Sequence, residues 1–166
     1  MGTNQRSQIT MSDDEIEAFI ASSRTAIMAT NGPGHVPHVV AMWYAWLDGQ
    51  LWFETKAKSQ KATNLRRDGH ITCLIEDGLT YDTLRGVSLE GTGVIVEDPD
   101  ALWRVGVDVW ERYNGPYSDE VKPLVEFMLH KRVVVRVEVD RVRSWDHRKL
   151  GMPAQELGGT TAAKYV

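Results

Sequence analysis

Residues 53–68 of the chain are FETKAKSQKATNLRRD, a stretch that joins a predicted strand to a predicted helix. The strand ends at Thr55, and the hydroxyl of Ser59 can cap a helix that extends to about Arg67. A helix N-terminus offers free N–H groups and the positive end of the helix dipole. The stretch therefore predicts a phosphate or other anion site, and a solvated basic turn is the alternative interpretation. Three lysines of this turn could reach the anion, namely Lys56, Lys58 and Lys61.

Three meandering strands are predicted before this turn. Ser12 and Glu15 form a capping-box pattern that begins a helix ending near residue 22. Asp48-Gly49 is typical of a tight hairpin with positive φ angles, so the strands on either side of it pair with each other. The predicted strands are residues 25–30, 35–47 and 50–55.

Three more strands are predicted after the turn. Gly91 and Gly93 indicate a bulge or bend in the second of them. Helices are predicted to begin after Asp98 and near Ser118. The later strands are residues 70–76, 87–96 and 132–139. Hairpin-connected strands with helices at their edges favour a mainly β fold with flanking helices, built on a six-stranded antiparallel barrel.

Length and composition limit the kind of protein this can be. The chain has 166 residues, of which 42% are hydrophobic and 25% charged, so we expect one globular domain over residues 12–150. Residues 1–11 are predicted to be disordered, and residues 151–166 to form a C-terminal tail. The net charge of −4 argues against nucleic acid as a partner. Since no apolar leader and no membrane-length apolar run is present, we expect a cytoplasmic protein without a membrane partner.

Several chemistries lack their usual sequence motifs. The chain has no Gly-x-Ser-x-Gly elbow, and Cys73 lies in an apolar run where a buried, inert thiol is expected. Its five histidines form no metal-binding pattern, so no metal site is predicted. No Gly-x-Gly-x-x-Gly follows a strand, which argues against a Rossmann dinucleotide site.

The second predicted strand is apolar on both faces. Residues 38–46 and the neighbouring Trp52 and Phe53 supply more apolar surface than one barrel interior needs. One interpretation is a barrel core on one face and a dimer interface on the other. Another is a platform for a flat aromatic ring whose phosphate tail ends at the lysine turn, and both can hold together.

These motifs, taken in order, resemble the pyridoxamine 5′-phosphate oxidase-like split β-barrel superfamily over residues 12–150. The motifs are the second strand, Asp48-Gly49, Phe53-x-Thr55, Ser59-x-Lys61, Asn64-Leu65 and Trp145-x-His147. A narrower set resembles the actinobacterial branch that uses the deazaflavin coenzyme F420. That set is the Lys58-x-x-Lys61-x-x-Asn64-Leu65-Arg66-Arg67-Asp68 run, Leu84-Arg85-Gly86-Val87 followed by Glu90-Gly91, and Ser144 to Leu150.

The resemblance implies a homodimeric split barrel with two flavin-type sites at the subunit interface. In such sites the second strand and the turn at Lys61 hold the cofactor, and the partner subunit closes the pocket. The residues that this assignment predicts to bind the cofactor are His38, Val39, Val40, Met42, Trp43, Thr55, Lys56, Lys58, Ser59, Lys61, Asn64, Arg85 and Trp145.

The basic residues favour F420 over FMN as the cofactor. Oxidases of the superfamily hold the FMN phosphate with arginines as well as lysine, whereas Gln60 stands between Ser59 and Lys61 here and the second strand has no arginine. Coenzyme F420 has a phosphodiester and a polycarboxylate tail, which separated lysines suit better than one arginine fork. FMN remains the alternative cofactor.

The function that the resemblance implies is an F420-dependent oxidoreductase. It would transfer hydride from reduced F420 to a conjugated, electron-poor small molecule such as an enone, quinone or tetrapyrrole. No catalytic side chain is obligatory, and the proton could come from solvent, Tyr44, Tyr81 or His147. Two alternatives stay open: an FMN-dependent enzyme of the pyridoxamine-phosphate oxidase type, and a non-catalytic protein that binds F420, FMN or haem.

Overall fold

A computed structural model describes residues 5–165 as one antiparallel sheet flanked by helices. The strands are β1 (Ala26–Asn31), β2 (Pro37–Met42), β3 (Ala45–Leu47), β4 (Gln50–Lys56), β5 (His70–Asp77), β6 (Arg85–Val96) and β7 (Arg132–Asp146). Their order across the sheet is β2-β1-β5-β6-β7-β4-β3. The prediction of a mainly β antiparallel split barrel with flanking helices is confirmed.

The helices begin where the sequence places capping residues. Ser12 forms the predicted capping box with Glu15, Ser59 accepts from the backbone of Ala62, and Asp98 caps a helix whose first residue is proline. The α-helices are α1 (Gln5–Ile9), α2 (Asp13–Ser22), α3 (Gln60–Arg67), α4 (Pro99–Tyr113) and α5 (Lys122–Leu129). Short 3₁₀ turns cover Pro33–His35, Asp119–Val121, His147–Leu150 and Ala162–Lys164. No helix within residues 5–165 is long and apolar enough to cross a membrane.

The two faces of the sheet are covered differently. Alternate strand residues point into the barrel and form one core with Phe19 and Ile20 of α2. On the outer face, Val105 and Val109 of α4 pack against Val134 of β7 and so cover the half of the sheet around β3, β4 and β7. The outer face of β2, β1 and β5 has no such cover from the described residues. That bare half of the sheet contains the apolar side chains of Ile27, Ala29, Val39, Ala41 and Leu74.

The second predicted strand is broken in the structure, so the sheet has seven strands and not six. The break falls at Trp43 and Tyr44, between β2 and β3. Tyr44 is fully buried, and its hydroxyl donates to the carbonyl oxygen of Ile20 at 2.6 Å. Its backbone N–H donates to the hydroxyl of Tyr113 at 3.1 Å. Both contacts take Tyr44 out of the strand ladder, because they are made with helices.

The last strand is longer than predicted, and the N-terminal region is more ordered. β7 extends to Asp146 because it pairs with β6 as far as Arg85, with a register shift between Glu90 and Gly91 at the predicted bulge. The N-terminus was predicted to be disordered over residues 1–11, whereas Gln5–Ile9 form α1 and Met11 packs in the core. Residues 1–4 lie outside the described part of the chain. Residues 151–165 contain no strand or α-helix.

We expect Tyr44→Phe to lower the free energy of unfolding by about 1–2 kcal/mol, because two carbonyl groups of the α2 end lose a buried hydroxyl. Burial raises the pKa of Tyr44 to about 12, above the value near 10 of an unfolded chain. The wild-type protein should therefore lose stability as the pH rises from about 10 toward 12, and the variant should lose less. Urea unfolding at pH 8 and pH 11 measures both effects. The exposed Tyr81→Phe variant is the control, and an equal pH dependence in all three proteins would contradict the assignment.

Candidate functional site

The turn between β4 and α3 is held together by hydroxyl groups. The hydroxyls of Thr55 and Ser59 lie 3.0 Å apart, and Ser59 caps α3. Asn64 is fully buried and donates to the hydroxyl of Thr30 at 3.0 Å, which fixes α3 against β1. Gln60 donates to the side-chain oxygen of Asn64 at 2.8 Å. Thr55 and Asn64 therefore position the turn, while the lysines are the groups that can contact a ligand.

The three lysines of the turn have different surroundings. The ammonium group of Lys56 donates to the carbonyl oxygen of His130 at 2.8 Å. Lys58 is exposed, and Lys61 is partly buried; neither has a hydrogen bond or ion pair within residues 5–165. Burial, together with the nearby positive charge of Arg132, lowers the pKa of Lys61. An external anion would stabilise the charged form of Lys61, because the described chain provides no counter-ion for it.

His38 adds a second unsatisfied group at the same end of the barrel. It lies directly opposite Thr30 in the β1–β2 ladder, and Thr30 contacts α3. The Nδ1 atom of His38 is buried and has no hydrogen-bond partner in the described structure. Buried polar atoms are almost always hydrogen-bonded in folded proteins. His38 and Lys61 together fit a cofactor that brings a phosphate and further polar groups to this turn.

The predicted residues of β2 do not all face the same way. Val40 and Met42 lie on the same side of the strand as His38 and pack against the core. Val39 faces outward with 58% of its surface exposed. Beyond the strand break, Trp43 is 52% exposed, and its ring is stacked on Tyr113 at 4.2 Å between ring centres. Of these residues, only Val39 and Trp43 present a wide surface to a ligand on the outer side.

A cleft of about 600 Å³ lies between the end of α2, the outer face of β1 and β2, and the adjoining ends of β5 and β6. Ile27, Ala41 and Leu74 are neighbours on three paired strands and form its apolar floor. Its polar lining residues are Ser22, Ser23, Arg24, Thr25, Glu76, Asp77 and Arg85. The cleft therefore has a size and a lining that suit a small molecule with both a flat apolar part and charged groups.

Arg85 borders this cleft and does not lie at the lysine turn. Its guanidinium donates to Asp77 at 2.7 Å and lies 4.8 Å from the ring centre of Phe19. These hydrogen bonds hold the pKa of Asp77 below its usual range. Gly93, near the other end of β6, is the residue that adjoins α3 through Leu65. At a rise of about 3.3 Å per strand residue, Arg85 is roughly 25 Å from that end, so the structure does not bring it together with the lysines.

Trp145 lies on the outer side of the sheet at the cleft end. Its ring covers Gly86, where a Cβ atom would approach the ring to 2.3 Å. Only glycine leaves room for this ring position. The structure therefore places Trp145 near Arg85, at the end of the sheet away from the lysine turn.

A family model described as pyridoxamine 5′-phosphate oxidase matches residues 12–146. The chain belongs to this family. A curated relative, the F420H(2)-dependent biliverdin reductase of Mycobacterium tuberculosis (strain CDC 1551 / Oshkosh), is 30% identical over 135 residues, which cover 80% of this chain and 86% of the relative. This match supports the predicted resemblance to the F420-using branch.

Two solved structures of similar proteins share the fold of this chain. A conserved hypothetical protein from Mycobacterium tuberculosis is 62% identical, with a TM-score of 0.92 over 96% of this chain and 99% of that one. A protein described as an F420 reductase is 25% identical, with a TM-score of 0.58 over 76% of this chain and 94% of that one. The resemblance predicted from the sequence motifs is confirmed.

Within this member of the family, two of the three candidate proton donors lie together. The rings of Tyr81 and His147 are 4.5 Å apart, and Nδ1 of His147 is 2.9 Å from the carbonyl oxygen of Tyr81. Because a carbonyl only accepts, Nδ1 is the protonated nitrogen and Nε2 is left for another partner. Tyr44 is different, since it is buried in the core and burial raises its pKa to about 12. The structure therefore does not bring Tyr44 to the cleft.

Sequence reasoning missed the arginines beside the cleft. Arg24 follows α2 and lies 5.1 Å from the ring centre of Tyr113, which is 89 residues further along the chain. Arg112 donates to the carbonyl oxygens of Ala21 and Ser23 and thereby holds the end of α2. No local motif marks either residue, because their partners are distant in sequence. Among residues 5–165, no group of three His, Cys, Asp or Glu side chains is placed to hold a metal ion.

Proposed function

We propose that this protein is an F420-dependent reductase that transfers hydride from the reduced coenzyme to a conjugated, electron-poor small molecule. The observation on which the proposal rests is Lys61, a partly buried lysine without a counter-ion, next to the exposed Lys58 and the unsatisfied Nδ1 of His38. A relative that is 30% identical over most of both chains is F420H(2)-dependent, which favours F420 over FMN as the anionic cofactor.

Each end of the proposed site has a separate task. Lys58 and Lys61 would hold the phosphodiester and the carboxylates of the coenzyme tail, since charge-assisted hydrogen bonds are the stronger ones. The outward-facing Val39 and Ala41 of β2 would support the ring system between the lysine turn and the cleft. The cleft beyond Ala41 would receive the acceptor, a conjugated molecule such as an enone, a quinone or a tetrapyrrole.

The reaction needs little acid–base chemistry from the protein. When bound, the reduced deazaflavin supplies the hydride, and the acceptor gains that hydride at one end of its conjugated system and a proton at the other. Solvent would supply this proton, or His147 would do so where the acceptor reaches its Nε2 atom, because its Nδ1 atom is held by the carbonyl of Tyr81. The apolar floor of Ile27, Ala41 and Leu74 would contact the apolar part of the acceptor.

We also propose that the protein is a homodimer whose subunits meet on the bare half of the sheet. Its apolar residues lie side by side on β2, β1 and β5, and the α4 and α5 helices leave them uncovered. A two-fold interface presents the same surface from both subunits, so the partner would cover the patch around Ala29 and would close the cleft above Ile27, Ala41 and Leu74 without filling it. Sedimentation equilibrium should give twice the mass of the chain, and Ala29→Arg should reduce that mass to one chain. A monomeric wild-type protein would contradict the proposal.

Direct titration tests the proposed function. Purified protein is titrated with coenzyme F420 and separately with FMN, and binding is followed by tryptophan quenching and cofactor fluorescence. Tight F420 binding with much weaker FMN binding, followed by oxidation of reduced F420 upon addition of a quinone, supports a reductase. Tight FMN binding without F420 binding would contradict the proposed reductase and would favour an FMN-dependent enzyme. F420 binding without transfer to an enone, a quinone or a tetrapyrrole would instead indicate a carrier protein.

A further inference from the structure

A pocket of about 320 Å³ lies at the mouth of the barrel, between α2 and the hairpin that joins β3 to β4. Ile16 and Ile20 of α2 line one side of it. The other side consists of Trp46 and Leu51, which are paired neighbours in the hairpin, and of residues from β6 and β7. This barrel-mouth pocket opens from the inner side of the sheet, where the core lies, so it is separate from the outer face proposed for the second subunit.

The register shift between β6 and β7 gives the barrel-mouth pocket two exposed valines. Leu89 lies opposite Val142 in the ladder, and two residues further along β6 Gly91 lies opposite Val139. Val139 and Val142 are three residues apart, but the extra residue at the bulge lets both face the inner side, as the buried Leu89 does. Val139 is nevertheless 42% exposed and Val142 45% exposed. No described side chain therefore fills the barrel at this level, and its apolar wall is open to solvent.

The lining of the barrel-mouth pocket is apolar and uncharged. Leu51, Leu89 and Val137 are buried and form its floor. None of the described lining residues is charged, and the only side-chain polar groups are the amide of Gln50 and the indole N–H of Trp46. Gln50 is exposed, and its amide has no hydrogen bond within residues 5–165. A charged ligand would find no counter-ion in this pocket, whereas one neutral polar group could bond with Gln50.

The size of the barrel-mouth pocket suits a small molecule and not the surface of another protein. A stable interface buries about 800 Å² on each partner, but the exposed apolar side chains of β7 at the pocket are limited to Val139 and Val142. Their neighbours on β7 are charged, namely Glu138, Asp140, Arg141 and Arg143. Apolar cavities of only about 150 Å³ bind small hydrocarbons. A volume of about 320 Å³ is therefore ample for an aliphatic chain.

We propose that the barrel-mouth pocket binds a neutral aliphatic molecule, with its hydrocarbon chain between α2 and β7 and its one polar group at Gln50. The site is distinct from the lysine turn, because Gln50 and Lys56 are the two ends of β4, roughly 20 Å apart at about 3.3 Å per residue. Burial of apolar surface supplies the affinity, so each added methylene group tightens binding until the pocket is full. This inference does not depend on the proposed reductase function.

The test is a titration of the intact protein with hexan-1-ol, heptan-1-ol and octan-1-ol, followed in methyl NMR spectra. Saturable shifts should be confined to methyl groups of the pocket, such as those of Ile16, Val139 and Val142. The dissociation constant should fall roughly fourfold with each added methylene group. Octanoate, which has the same chain length as octan-1-ol, should bind at least about tenfold more weakly, because the pocket has no cation for its carboxylate.

Two substitutions at the pocket should each weaken octan-1-ol binding at least about tenfold. Val139→Asp places a charge on the apolar wall, and Val142→Trp occupies the space with an apolar side chain. Leu124→Asp is the matched control, because Leu124 is 54% exposed on α5, which packs against α4 on the outer side of the sheet. This control should bind octan-1-ol as the wild type does, and circular dichroism shows whether each variant is folded.

Four results would overturn the proposal. They are shifts that do not saturate, affinities that do not change with chain length, tighter binding of octanoate than of octan-1-ol, and undiminished binding in both folded pocket variants. Titration of Val139→Asp with F420 keeps the two proposals apart. Since Val139 lies far from the lysine turn, this variant should bind F420 as the wild type does, and failure of the wild type to bind F420 counts only against the reductase.

Discussion

Lys61→Ala is expected to weaken coenzyme F420 binding by roughly 10- to 150-fold, which corresponds to about 1.5–3 kcal/mol for a hydrogen bond to a charged group. The stability of the folded protein should not decrease. Burial and the neighbouring Arg132 already disfavour the charged form of Lys61, and no internal ion pair is lost. The melting temperature should stay the same or rise slightly. Fluorescence titration and thermal unfolding of the purified variant measure the two effects.

Lys56→Ala is the matched control for this prediction. Both lysines belong to the same turn, but the ammonium of Lys56 is already used by the carbonyl of His130. Its removal should change F420 affinity by less than about threefold, since the contact it loses is internal and exposed. Lys61→Arg should retain most of the affinity, because it keeps the positive charge. A larger loss in Lys56→Ala than in Lys61→Ala would show that the anion site has been assigned to the wrong lysine.

Gly91→Ala is expected to lower the free energy of unfolding by about 3 kcal/mol or more. A Cβ atom at Gly91 would lie 1.9 Å from the carbonyl oxygen of Glu138 and 3.0 Å from the Cα of Val139. Overpacking a well-packed site costs about 1–3 kcal/mol when side chains can move aside. At Gly91 the atoms that a Cβ atom would meet belong to the backbone of the facing strand and cannot move aside. The loss of stability should therefore reach or exceed the upper end of that range. Urea unfolding followed by circular dichroism measures it.

The same substitution has a suitable comparison in Gly158, where a Cβ atom would meet nothing within 4 Å. Gly158→Ala should leave stability within about 0.5 kcal/mol of the wild type. If Gly91→Ala changed the free energy of unfolding as little as Gly158→Ala does, β6 and β7 could not approach each other so closely at the register shift. The shift also sets which residues of β7 share the outer face with Glu90. Arg141 and Arg143 are the residues that pair with Glu90 there.

Local signals in the sequence were sufficient for most of the fold. The capping box at Ser12, the cap at Ser59 and the hairpin at Asp48-Gly49 each depend on residues within a few positions of each other. The bulge near Gly91 was predictable because glycine within a strand is unfavourable unless the backbone needs it. The strand break at Tyr44 was not predictable, since its partners Ile20 and Tyr113 are far away in the chain.

The same distinction applies to the candidate site. The lysine turn is one continuous stretch, so its position at the start of α3 could be predicted from the sequence. The different surroundings of its lysines could not, because they depend on His130 and Arg132 from the other end of the chain. Arg85 was predicted to line the cofactor path, and only the pairing of β5 with β6 shows that Asp77 holds it elsewhere. Arg24 gave no sequence signal at all.

The position of β7 in the sheet has a consequence for synthesis of the protein. β7 is the last strand in the chain, yet it lies between β6 and β4 and is the only link between the β2-β1-β5-β6 group and the β4-β3 pair. A growing polypeptide on the ribosome therefore cannot close the sheet until residue 146 has emerged. Until then, β6 and β4 each present a free hydrogen-bonding edge that can pair with other chains. The nascent protein is thus most exposed to edge-to-edge aggregation before its synthesis is almost complete.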